Sequence, residues 1–141
     1  MTSTLEEPDV TALNALSRVL LRQISRLEAA LDATQDPAVE SLVIYAQATR
    51  EEILQRIEGR LRHLGRPPEP ILLASGAGRP ANGASTAAES AIDEVARGEA
   101  ELCIALRRGV QDQTLMPHTR HFLRDLMDRV TATAERYGRR P

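Results

Sequence analysis

Residues 87–108, AAESAIDEVARGEAELCIALRR, decide the fold. Their apolar members fall at Ala88, Ala91 with Ile92, Val95, Leu102 with Cys103, and Leu106. A spacing of three and four needs a helix with one buried stripe. The stripe has one break, because Glu99 stands between Val95 and Leu102. A carboxylate on the inward side of a helix pairs, loses its charge, binds a metal, or reaches water at an edge. The readings open for Glu99 are a bond to an arginine or hydroxyl of a facing helix or to Tyr45, a metal ligand, and exposure at a bundle edge.

Working outward, Thr86-Ala-Ala-Glu89 has the form of a capping box and starts this helix near residue 86, while Gly109 is expected to stop it at Arg108. Towards the N-terminus, Leu13, Leu16, Leu20, Ile24, Leu27 and Leu31 trace a single-faced stripe opposite Arg18, Arg22 and Arg26, which predicts a helix over 10–32 capped by Asp9. Asp36-Pro37 then reads as a cap and a proline at the first helical position. The second helix, 37–64, turns Val39, Leu42, Val43, Ala46, Thr49, Ile53, Ile57, Leu61 and Leu64 inward and stops at Gly65. Glu52 with Arg56, and Glu58 with Arg62, are spaced for pairs across one turn. Pro117 opens a last helix over 117–137, carrying Phe122, Leu123, Leu126, Met127, Val130, Ala134 and Tyr137. The connections run short, long, short, so the chain is all-α: two helical hairpins forming an antiparallel four-helix bundle, one domain over 1–141, with one long crossover between helices two and three. In that crossover Ile71, Leu72 and Leu73 are expected to plug an end of the core. Its Gly76, Gly78 and Gly83 lack the strand and the Gly-Lys-Ser/Thr of a phosphate loop.

Apolar residues make up 42% of the chain but only three residues are aromatic, so the core must come from Leu, Ile, Val and Ala. Positive charge is carried by Arg alone, the net charge is −2, and no basic stripe suited to a phosphate backbone is present, which argues against nucleic acid as a partner. No apolar run approaches the roughly 20 residues of a membrane span, and the acidic start MTSTLEEPD is unlike a signal peptide. A cytoplasmic protein with no membrane partner is expected. The single Cys103 cannot form an internal disulfide and reads as a small core residue.

A dinuclear metal site of the ferritin type asks for a Glu from each of two helices and Glu-x-x-His from each of the other two. Only Glu99 fits. Three residues before His63 stands Arg60, and three after Glu135 stands Gly138. His118 and His121 share a face on the first turn of the last helix and could hold one ion with a third ligand from Asp112 or a neighbouring chain. Glu99, His118 and His121 are therefore the metal candidates, and none of them completes a site. Glu51, Glu58, Asp93, Glu101 and Asp128 are assigned to solvated faces. No catalytic residues and no cofactor are expected.

Leu13-Asn14-Ala15-Leu16, Asp36-Pro37, the turn from Arg62 to Pro67, Arg97-Gly98-Glu99 and Leu115-Met116-Pro117 resemble strings of a family of bacterial ferritin-like proteins of undefined function, DUF2383. The resemblance implies a ferritin-like bundle. Where metal-binding relatives would be acidic in the middle of helix one, Gln23, Ile24 and Ser25 stand here, and Ala134 stands where a late His would be. The expectation is a non-enzymatic bundle acting by self-association or protein binding, with a role in stress among the readings. The alternative is a metal-binding protein or oxidoreductase using iron or manganese, and a third reading is a small-molecule pocket between the helices. Leu21, Leu31, Leu54 and Leu123 widen the apolar faces beyond what one neighbour needs, which favours a homodimer.

Overall fold

Asp36 and Pro37 do what their chemistry allows. The Asp36 side chain accepts from the Ala38 N–H at 3.0 Å, and Pro37 occupies the first helical position, where an N–H would have no partner. At the other end of the same helix Gly65 adopts φ +79°, the left-handed turn that glycine enters without a Cβ penalty. The computed structural model describes residues 7–65 and 87–138, with side chains for 8–65 and 91–133. Its helices are α1 (Glu7–Ala33), α2 (Pro37–His63), α3 (Ala87–Gln111) and α4 (Pro117–Gly138). The Ile71–Leu73 plug, the glycines of the crossover, Thr86 of the capping box and the side chains of Ala88, Ala134 and Tyr137 lie outside the described residues.

The stripes pack as their spacing demands. Leu16, Leu20, Ile24, Ile53, Ile57, Val95, Leu102, Leu106, Leu126 and Val130 are all buried. They belong to an arrangement with two apolar clusters. One gathers Leu13, Leu16 and Leu20 of α1, Ile53, Ile57 and Leu61 of α2, Leu102 and Leu106 of α3, and Leu123, Leu126 and Val130 of α4. The other gathers Leu27, Val39, Leu42, Val43, Ala46, Ala91 and Val95, from α1, α2 and α3. The start of α1 thus shares an end of the bundle with the finish of α2, the finish of α3 and the start of α4. Hairpins α1–α2 and α3–α4 are antiparallel, while α2 and α3 run parallel, and the residues between them join opposite ends of the bundle. α1 packs against α2 and α3, and α4 packs against α3. Across the α2–α4 seam Arg60 lies over the Phe122 ring, 6.0 Å from its centroid, and Arg129 bonds Glu52 at 2.9 Å.

Several expectations change. α3 does not stop at Arg108: it continues through Gly109 to Gln111. A Cβ on Gly109 would lie 2.5 Å from Leu123 Cδ1, so this glycine lets α4 approach and does not end the helix. Asp9 lies inside α1, which begins at Glu7, and its carboxylate accepts from the Met116 N–H at 3.1 Å and from the Thr119 hydroxyl. It caps α4 across the fold, where the positive helix end favours a carboxylate. Thr49 is only half-buried, and Arg50 takes the inward position beside it. Leu123 is fully buried within its own chain, under Gly109, and is not part of a widened outer face. Glu52 pairs with Arg129 and not with Arg56, its neighbour one turn on.

Candidate functional site

Between the two apolar clusters lies a polar layer contributed by three helices. Gln23 sits three after Leu20 and four before Leu27, Arg50 four after Ala46 and three before Ile53, and Glu99 four after Val95 and three before Leu102. Each therefore occupies a stripe position near the middle of its helix. Burial follows: Arg50 is 0% exposed, Gln23 2% and Glu99 6%.

The geometry closes these groups on one another. Arg50 Nε donates to Gln23 Oε1 at 2.7 Å, and Arg50 Nη1 donates to Glu99 Oε1 at 3.0 Å. Gln23 Nε2 donates to the Gly98 carbonyl at 3.0 Å and to Glu101 Oε1 at 2.9 Å. Glu101, expected on a solvated face, is thus joined to the layer, with Arg22 at 3.8 Å on its outer side. Gly98 makes the approach possible. A Cβ there would meet Gln23 Oε1 at 3.2 Å and Arg50 Nη2 at 3.5 Å. Arg50 Nη2 and Glu99 Oε2 are buried without a hydrogen-bond partner, so each ion of the pair keeps one unsatisfied atom.

The electrostatics follow from burial. Removal from water pushes the Glu99 carboxyl above its ordinary 4.5, and the charge and hydrogen bond of Arg50 pull it back in part. Cys103, half-buried one turn further along α3, has its thiol raised by burial and by Glu99, against the opposing charges of Arg107 and Arg50. A thiol held in that state is a poor nucleophile.

Of the three metal candidates, Glu99 faces inward and is paired with Arg50, while His118 and His121 are exposed at the far end of the bundle. The structure does not bring them together. Asp112, the possible third ligand for the histidines, takes the Thr114 N–H at 2.9 Å and the Thr114 hydroxyl at 2.6 Å on its Oδ1. Among the described residues no group of three or more His, Cys, Asp or Glu is placed to hold a metal ion. Tyr45 is 38% exposed on α2, and the hydrogen bond that Glu99 accepts comes from Arg50. Gln23 and Arg50 are the site residues that stripe reading passed over. The signal was present, since three polar residues at stripe positions and matching heights on three helices have to meet.

The arrangement has no group poised for acid–base or nucleophilic work: its one inward carboxylate is held by a guanidinium. A second feature is a groove of about 420 Å³ on the α2–α4 seam, lined by Tyr45, Ala48, Thr49, Glu52, Arg129 and Ala132 together with Thr133. Among the described residues no helix is long and apolar enough to cross a membrane. Compared with protein families, curated proteins and solved structures, the chain matches none.

Proposed function

We propose that this protein is a non-enzymatic helical-bundle scaffold of the ferritin-like type, acting by self-association or by binding another protein. The observation that carries the reading is the Arg50–Glu99 pair. In a dinuclear bundle the central carboxylates converge on cations supplied by metal. Here a covalently attached guanidinium supplies the cation beside the only inward carboxylate of the layer, and Gln23 takes the corresponding place on α1. The rise of a chain with parallel second and third helices and one long connection supports the ferritin-like order.

Self-association is supported by the α2–α4 groove. Ala48 and Ala132 keep its walls low enough for another helix to approach, and Glu52 with Arg129 gives it one charge of each sign. In a two-fold contact that sets Glu52 of one copy against Arg129 of the other, the reciprocal pair forms as well, because such an interface is self-complementary. Light scattering tests this. The expected mass is twice 15.5 kDa at micromolar concentration, and Ala48→Arg should return it to 15.5 kDa. A mass of 15.5 kDa for the unaltered chain at all concentrations would remove the dimer. Elemental analysis tests the rest: near-stoichiometric iron or manganese that disappears in Glu99→Ala would replace the scaffold reading with the metal-binding one.

A further inference from the structure

We propose that the recess where α3 meets α4 binds a tetrahedral oxyanion, inorganic phosphate or the phosphate of a monoester, through Arg120, His121 and Arg124. The recess holds about 120 Å³ and is lined by those three side chains with Val110 and Pro117. One water needs about 10–15 Å³ on this scale, so there is room for a group of several heavy atoms.

The charge balance of the recess is the reverse of the chain's. The net charge is −2, yet the lining contains two guanidiniums, one imidazole and no carboxylate. Among the described residues no ion pair joins a carboxylate to any of the three. Asp112 feels the charge of Arg120, but its bonds go to Thr114. Asp125 and Asp128 follow His121 and Arg124 by four residues on the exposed surface of α4 without closing on them. The end of α4 plays no part in the argument, because Asp9 already occupies it. What remains is a recess with room for a phosphate, whose two arginines offer the planar forks that suit oxyanions.

The test is a titration of the full chain with sodium phosphate at constant ionic strength, set by sodium chloride, followed by calorimetry and by the His121 imidazole resonance. The expected result is saturation at one phosphate per chain with a shifted His121 signal, and at least tenfold weaker binding in Arg124→Gln. Arg124 is exposed, so that variant keeps the fold, and an unchanged melting temperature verifies it. Arg120→Gln should weaken binding likewise. Methyl phosphate binding more tightly than inorganic phosphate would assign the site to a phosphorylated molecule, and the reverse order to the free ion. Absence of saturation, equal binding by Arg124→Gln, or displacement by chloride at equal concentration would mean an adventitious ion only and would overturn the proposal.

Discussion

Arg50 Nη1 and Glu99 Oε1 meet at 3.0 Å between two apolar clusters and tie the middle of α2 to the middle of α3. A pair so placed is asymmetric in its energetics. Desolvating both ions offsets most of their attraction, whereas removing one leaves the other buried and uncompensated.

Arg50→Ala alone is accordingly expected to destabilise the fold by about 3–5 kcal/mol. The double variant Arg50→Met with Glu99→Leu should recover most of that loss, since no lone charge remains. Chemical denaturation of the two variants checks this. A double variant as unstable as Arg50→Ala would show that the pair itself, and not the orphaned ion, carries the effect.

The Glu99 carboxyl is raised above 4.5 in the fold, chiefly by burial. Between 4.5 and the raised value the folded state binds more protons than the unfolded one, so stability falls as pH rises through that window and levels off above it. Measured against Glu99→Gln, the unaltered protein should therefore lose relative stability as pH is raised from 4.5. A relative gain over the same range would mean that the attraction of Arg50 outweighs desolvation.

Three helical glycines should respond to alanine in different directions. Gly59 has open space around it, so Gly59→Ala should stabilise by about 0.5–1 kcal/mol through helix propensity. In Gly109→Ala the new methyl would collide with the buried Leu123, with an expected loss of about 1–3 kcal/mol. Gly98→Ala presses on Gln23, which is fixed by bonds to Arg50, Glu101 and the Gly98 carbonyl, so there too the net change should be a loss. Thermal melts of the three single variants give the order.

Asp9 is fully buried and serves two donors at the start of α4. Asp9→Ala leaves the Met116 N–H and the Thr119 hydroxyl without it, for an expected loss of about 1–3 kcal/mol. Amide exchange should accelerate first at the start of α4, although the substitution lies in α1. Exchange that accelerates only within α1 would show that Asp9 acts as a local residue.

Much of the fold was legible because it rests on local signals. The stripes of Leu, Ile and Val required helices, and Asp36, Pro37, Gly65 and Pro117 marked ends by their own backbone chemistry. Asp9 and Gly109 were misread for the converse reason. An aspartate near a helix start and a glycine near a helix end look like punctuation, but Asp9 answers to Met116, 107 positions away, and Gly109 to Leu123 on the next helix. The polar layer was legible in one third. Glu99 stood out against an apolar stripe, whereas Arg50 competed with Thr49 for one inward position and Gln23 stood beside Ile24. Choosing correctly needed the heights of three helices compared at once, a tertiary relation that periodicity within one helix does not contain.

The polar layer is divided unequally between the hairpins: the first contributes a cation and an amide, the second two carboxylates and a backbone carbonyl. Neither half is electrically self-sufficient. Such halves carry matching labels, and a slip by one helical turn would set Arg50 and Glu99 each against apolar stripe residues. The same labels do not register which chain a hairpin belongs to, so a first hairpin from one copy docked on a second hairpin from another would rebuild every bond of the layer unchanged.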